Sequence, residues 1–227
     1  MIATFLQSQI LLRRCRTTTF GVFDFTLAEH RKGMVDTMEI LEHRIRKSGM
    51  VLPGGVLNVD SFLNHQMDPA LFVDMANELR RLFAAQNVNK ILTIETSGIG
   101  LACITGYIFE CPVLFARKHK AKNMSGEFFT ARVESFTHGN ISTIYVSKRF
   151  LSADDRILII DDFLANGAAL GGLISLVEQS GAAVVGAGIA IEKTFQPGGD
   201  IIRERGYQVE SLARIKSMGD DGSIEFC

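Results

Sequence analysis

Ile157-Leu158-Ile159-Ile160-Asp161-Asp162-Phe163-Leu164-Ala165-Asn166-Gly167 is the stretch from which the fold can be read. Four consecutive aliphatic residues suit a strand buried on both faces, as in a parallel sheet. Two carboxylates follow at once, then a short turn with glycine, then a helical stretch over 168–179. In open α/β sheets ligands bind at the carboxyl ends of the strands. A helix N-terminus beside such an end offers unpaired N–H groups and partial positive charge to a phosphate. Adjacent acids accept hydrogen bonds from paired hydroxyls, so turn and acids together describe a site for a ribose 5-phosphate. The same residues also fit a helix cap and a solvated turn, and the remainder of the chain has to decide.

The 227 residues suffice for one full core with an appendage. A hydrophobic content of 47% with 22% charged residues is ordinary for a globular protein. A net charge of -1 gives no electrostatic reason to expect nucleic acid or a membrane surface as partner. No apolar run approaches the roughly 20 residues that span a bilayer. Cys15, Cys103, Cys111 and Cys227 show neither CxxC spacing nor partnered histidines. They read as thiols in a reducing compartment, and the expected location is the cytoplasm.

Residues 1–36 differ from the rest. Arg13, Arg14 and Arg16 precede Thr17-Thr18-Thr19, and no acid appears before Asp24. The segment reads as a non-catalytic appendage: a transit peptide, a disordered leader, or translated sequence ahead of a start at Met34 or Met38. Residues 37–227 form the expected folded domain. Met38, Leu41 and Ile45 share a helix face that ends at Ser48-Gly49, and turn glycines separate short apolar pieces in 51–59. Asp68-Pro69 opens a second helix as cap and first residue. Expected next are strand 91–94, helix 100–109 and strand 113–116, then two β-like runs, 128–135 and 142–147. After the opening strand and helix come strand 183–192, a short helix over 200–205 and strand 208–212. Alternating strands and helices predict an α/β fold, a mainly parallel twisted sheet flanked by helices. The 128–146 pair interrupts the alternation as a hairpin or flap.

Each strand end carries polar residues. Glu95-Thr96-Ser97-Gly98-Ile99-Gly100 can cradle a pyrophosphate on backbone amides or can simply be a tight connection. Arg117-Lys118-His119-Lys120 makes an anion site or a surface basic run. Glu192-Lys193-Thr194-Phe195-Gln196 suits a flat heterocycle or a salt-bridged loop. All of these would fall on one edge of one sheet.

The segment 158–167 closely resembles the phosphoribosyl-pyrophosphate (PRPP) signature of the type I phosphoribosyltransferases. Val59–Gln66, Ile94–Ile99, Phe115–Lys120, Ile191–Gln196 and Val209–Ile215 narrow the resemblance to the bacterial xanthine phosphoribosyltransferases. It runs from Met38 to the C-terminus and implies the type I fold with a flexible β flap at 121–140 and a small hood before Asp68. The implied reaction is transfer of 5-phosphoribosyl from PRPP to xanthine N9, giving XMP and pyrophosphate in purine salvage. By the same resemblance Ala165, Asn166, Gly167, Ala168 and Ala169 wrap the 5-phosphate, and Asp161 and Asp162 face the ribose hydroxyls. Thr96, Ser97 and Gly98 meet the pyrophosphate, assisted by Arg117 and Lys120. Leu57, Asn64, Lys193 and Phe163 contact the purine. The resemblance further implies Mg²⁺ bound with PRPP, and a homodimer. It assigns no protein metal ligand with certainty. Ala168 stands where that family carries a polar residue, 121–139 matches it poorly, and 1–36 has no counterpart. Two alternatives are another purine phosphoribosyltransferase and a PRPP-sensing purine repressor. A repressor needs a DNA-binding domain ahead of the fold, and residues 1–50 supply only one amphipathic helix.

Overall fold

Ile157, Leu158, Ile159 and Ile160 are all fully buried, as a central strand covered on both faces requires. The computed structural model describes residues 37–119, 126–134, 141–219 and 221–227, and the appendage expected at 1–36 lies outside them. The described elements run α1 (Thr37–Ser48), β1 (Met50–Leu52), β2 (Val56–Asn58), a π-helical turn (Asp60–Asn64), α2 (Pro69–Leu82), β3 (Lys90–Ile94), α3 (Gly98–Phe109) and β4 (Val113–Ala116). They continue as β5 (Phe128–Glu134), β6 (Ile141–Ser147), a 3₁₀ turn (Lys148–Phe150), β7 (Arg156–Leu164), α4 (Ala168–Ser180), β8 (Ala183–Lys193), α5 (Gly198–Glu204), β9 (Val209–Met218) and β10 (Ile224–Phe226).

The main sheet has the order β10-β9-β8-β7-β3-β4 and is parallel except for β10, which runs antiparallel to β9. Successive side chains of β7 serve opposite faces. Leu158 and Ile160 join Leu41 and Ile45 of α1, Met75 and Leu79 of α2, and Leu101 of α3 in one core. Ile157 and Ile159 join Leu173, Ile174 and Val177 of α4 in the other, together with Ile144 and Val146 of β6. The β5–β6 hairpin forms its own two-stranded sheet, and β1–β2 forms another. Asp68 caps α2 by accepting from the Leu71 N–H at 3.2 Å, with Pro69 as first helical residue.

Two strands, β7 and β9, run well past the ends expected from the sequence. β7 does not stop at Ile160. It continues to Leu164 because β8 extends alongside it, pairing Asp161 with Ile189 and Leu164 with Glu192. The acid pair therefore sits within the strand end, and the turn shrinks to residues 165–167. β9 likewise continues past Leu212, held by β8 as far as Ile215 and then by the unanticipated β10.

Gly171 and Gly172, neighbours in α4, face opposite surroundings. A Cβ on Gly171 would find only Arg205 Nη1, at 3.9 Å, whereas one on Gly172 would lie 2.4 Å from Val133 Cγ2. Gly171→Ala is expected to stabilise the protein by about 0.5–1 kcal/mol through helix propensity. Gly172→Ala should destabilise it by about 1–3 kcal/mol through overpacking against the hairpin. Urea unfolding of the two variants checks the pair; equal shifts would contradict the packing of α4 on β5.

Candidate active site

A cavity of about 780 Å³ opens at the carboxyl ends of β3, β7 and β8. Glu95, Thr96, Ser97 and Gly98 reach it from the turn after β3, and Lys118 from beyond β4. Asp161, Asp162, Phe163 and residues 164–170 border it from β7 and its turn. Lys193 and Gln196 enter from the end of β8, Gly54, Gly55 and Val56 from the β1–β2 hairpin, and Val133, Ser142 and Ile144 from the β5–β6 hairpin.

The turn after β3 delivers the chain tightly into α3. A Cβ on Gly98 would lie 2.5 Å from Thr93 Oγ1 and 3.1 Å from Asp161 Oδ1, so only glycine lets α3 start directly upon β3 and β7. The Glu95–Thr96 peptide bond is cis. Glu95 accepts a hydrogen bond from the Lys118 backbone N–H and faces the Arg117 guanidinium at 3.9 Å. Arg117 also bridges to Tyr145 through its backbone, at 3.0 and 2.9 Å. Successive residues of extended chain point to opposite sides, which sends Arg117 toward Glu95 and the hairpin while Lys118 borders the cavity.

Asp161 is only 5% exposed. Burial, and then the charge of Asp162, hold its carboxyl well above the usual range, against the Asp162 N–H bond and the Lys118 charge. The Asp162 N–H donates to Asp161 Oδ1 at 3.0 Å. The pair is thus unequal, with one buried carboxyl beneath α3 and one half-buried carboxyl on the cavity. Beyond it, Gly167 (φ +81°) turns the chain into α4, and Asn166 Oδ1 accepts from the Ala168 N–H at 3.1 Å. The first N–H groups of a helix lack intrahelical partners and carry the positive end of its dipole, so this turn is a ready anion cradle.

At the end of β8 the Lys193 ammonium donates to the Gly55 carbonyl at 2.8 Å and lies 5.8 Å from the centre of the Phe163 ring. Burial pulls its pKa below the ordinary lysine value. The preceding Glu192 is buried and accepts two hydrogen bonds from Arg203 of α5, both at 2.7 Å. An anion cradle, an acid pair, and a lysine beside an aromatic ring can together hold a phosphorylated sugar next to a flat heterocycle.

Of the residues singled out from sequence, Thr96, Ser97, Gly98, Asp161, Asp162, Phe163, Ala165, Asn166, Gly167, Ala168, Ala169 and Lys193 meet around this cavity. Leu57, Asn64 and Arg117 do not border it. Leu57 is buried in the core against which Phe163 packs. Asn64 ends the π-helical turn, and its buried amide oxygen has no hydrogen-bond partner among the described residues. Lys120 lies outside the described residues, as do 121–125 and 135–140 of the expected flap. Gly54 and Gly55 were expected only as part of the hood and Val133 only as part of the flap, and Ser142 and Ile144 had no expected site role; their places at the cavity depend on how the two hairpins pack. Lys118 was legible only as one member of a cationic run.

A profile of the phosphoribosyl transferase domain matches residues 59–204. The xanthine phosphoribosyltransferase of Lachnoclostridium phytofermentans is 56% identical over 190 residues, covering 83% of this chain and 98% of that protein. That of Pediococcus pentosaceus is 52% identical over 189 residues, covering 83% and 100%. Among solved structures, adenine phosphoribosyltransferase from Trypanosoma brucei superposes with a TM-score of 0.66 at 16% identity, covering 80% of this chain and 82% of that one. The Rhodothermus marinus enzyme superposes at 0.62 and 22% identity, covering 78% and 98%. The chain belongs to the phosphoribosyltransferase family. Its parallel sheet with helices on both faces is the type I fold of that family.

The raised Asp161 pKa carries a stability consequence. The folded state keeps its proton over a pH range where the unfolded chain has lost it, so stability falls as pH rises from the ordinary aspartate range through the folded value. Asp161→Asn retains an acceptor for the Asp162 N–H and removes the titration. The variant is expected to show a flatter stability–pH curve than wild type across that window, measured by denaturant unfolding at a series of pH values. Parallel curves would contradict a buried, proton-retaining Asp161.

Proposed function

We propose that this protein transfers the 5-phosphoribosyl group of PRPP to N9 of xanthine, forming XMP and pyrophosphate. The observation that carries the reading is the meeting, on one sheet edge, of two glycine turns, the acid pair and Lys193. The names of relatives more than half identical over nearly their whole length supply the base.

In this reading the backbone amides of 165–169 hold the 5-phosphate at the start of α4, and Asp162, supported by Asp161, accepts from the ribose hydroxyls. The 95–98 turn and Lys118 receive the pyrophosphate. Phe163 offers a ring face to the purine, and Lys193 turns a donor left free by the Gly55 carbonyl to a purine oxygen. The bond from C1 of the ribose to pyrophosphate breaks, the N9–C1 bond forms, and the N9 proton leaves to solvent. Because charge accumulates on the leaving group while the ribose becomes cationic, alignment and preorganised dipoles matter more here than a strong base.

Among the described residues no three His, Cys, Asp or Glu side chains gather into a metal site. A half-buried Asp162 beside a phosphate cradle fits Mg²⁺ held chiefly by substrate oxygens and water, the usual manner of this ion. Bound so, Mg²⁺ would supply charge neutralisation on pyrophosphate. Among the described residues no helix is long and apolar enough to cross a membrane. A cytoplasmic homodimer, with residues 1–36 as an appendage to the 37–227 domain, completes the proposal.

The test offers the protein PRPP, Mg²⁺ and equal amounts of xanthine, hypoxanthine, guanine and adenine, and identifies the nucleotides formed. XMP should dominate; predominance of AMP or GMP would overturn the base assignment. Lys193→Ala should lower kcat/KM for xanthine roughly 10- to 100-fold, the worth of one charged hydrogen bond. PRPP affinity should stay nearly unchanged. An unaltered kcat/KM would remove Lys193 from the base site.

A further inference from the structure

We propose that Gly198, in the first turn of α5, is a positioning residue for the PRPP phosphate loop, acting through a backbone-on-backbone contact that no side chain can enter. The inference rests on the phosphoribosyl-transfer reading above. It concerns a residue that borders no part of the cavity.

The Gly198 N–H donates to the Ala165 carbonyl at 3.0 Å. A Cβ on Gly198 would lie 2.3 Å from Gly167 N, 2.4 Å from Ala165 O and 2.6 Å from Asn166 C. From the other side, a Cβ on Gly167 would lie 3.0 Å from Gly198 Cα. Every one of these neighbours is a backbone atom, so no rotamer change can relieve the clash. Gly198 is also absent from the positive-φ glycines. Its conformation does not call for glycine; the space does. The loop amides that would bind phosphate are therefore seated directly on the α5 backbone.

α5 is in turn fastened to β8. Gly199 leaves room for the Glu192 carboxylate, whose Oε1 would come within 1.9 Å of any Cβ placed there. Glu192 holds Arg203 of α5 through two bonds of 2.7 Å, and Arg214 Nε stands 3.5 Å from the same carboxylate. Burial pushes the Glu192 pKa up, but the bonds from Arg203 and the charges of Arg203 and Arg214 outweigh it and leave it lowered. The fork is therefore charged at neutral pH. Lys193 follows Glu192 directly, so the phosphate loop and the base-contacting lysine share one support. Their separation fixes how far C1 of the bound ribose stands from the base nitrogen. A displaced loop therefore disturbs PRPP binding and alignment while leaving the base pocket intact.

Gly198→Ala in the full-length protein should raise KM for PRPP and lower kcat, together roughly 10- to 100-fold in kcat/KM, the cost of a misplaced reactant. KM for xanthine should not change, and neither should the kinetics of Gly171→Ala, a glycine on α4 with open space. A folded Gly198→Ala with wild-type KM for PRPP, or with both KM values raised alike, overturns the proposal. Should that variant not fold, amide exchange on wild type decides. Adding PRPP should slow exchange at the Gly198 N–H and leave the Gly219 N–H, bonded to Ser223 O at 3.0 Å, unaffected. PRPP turnover without slowed exchange at Gly198 overturns the buttress alone. A wild-type protein that ignores PRPP overturns the buttress and the phosphoribosyl-transfer reading together.

Discussion

A backbone amide can serve as an anion donor only where the chain turns sharply and nothing stands between it and the ligand. In this protein that constraint is met twice, by close approaches that exclude a Cβ. Gly98 lets α3 begin upon Thr93 and Asp161, and Gly167 packs its backbone against Gly198. The rest of the architecture keeps those approaches in place. β7 supplies the floor, buried on both faces, and its long pairing with β8 carries both strands to the cavity rim. Two helix starts thus face one space from neighbouring strands.

Charge is distributed to suit this arrangement. Buried charges persist where they are paired and hydrogen-bonded, and Glu192 with Arg203 satisfies that condition behind the loop. Among the described residues Asp161 has no such cation in contact, and burial pushes it toward its neutral form. The acid pair consequently presents less than two full negative charges beside the proposed PRPP site, which reduces repulsion with an anionic substrate. Lys193, partly desolvated and bonded among the described residues to the Gly55 carbonyl alone, has further donors for the purine oxygen proposed above.

Much of this was legible in the sequence, because short-range patterns determine it. The aliphatic run at 157–160, the Asp68-Pro69 cap and the turn glycines each announce local structure, and their alternation announces the sheet. Strand ends were less legible. β7 extends through Asp161 to Leu164 only because β8 offers partners, and β10 exists only because β9 does. The cationic run read as one patch, yet the side chains of Arg117 and Lys118 diverge. Gly54 and Gly55 announced a turn by composition and adopt φ of +83° and +71°. That the Gly55 carbonyl meets Lys193, far along the chain, is a fact of packing. The role of Gly198 is hidden for the same reason, since a requirement for empty space leaves no periodic trace.

The proposed reaction requires two glycine turns on one sheet edge to hold the phosphates of PRPP through their backbone amides. Amide chemical-shift mapping on addition of PRPP with Mg²⁺ tests it most directly. The account predicts the largest shifts at 95–98 and 165–169, with Cys103 and Tyr107 on the exposed face of α3 unmoved. Saturable PRPP binding that leaves both turns unshifted would contradict it.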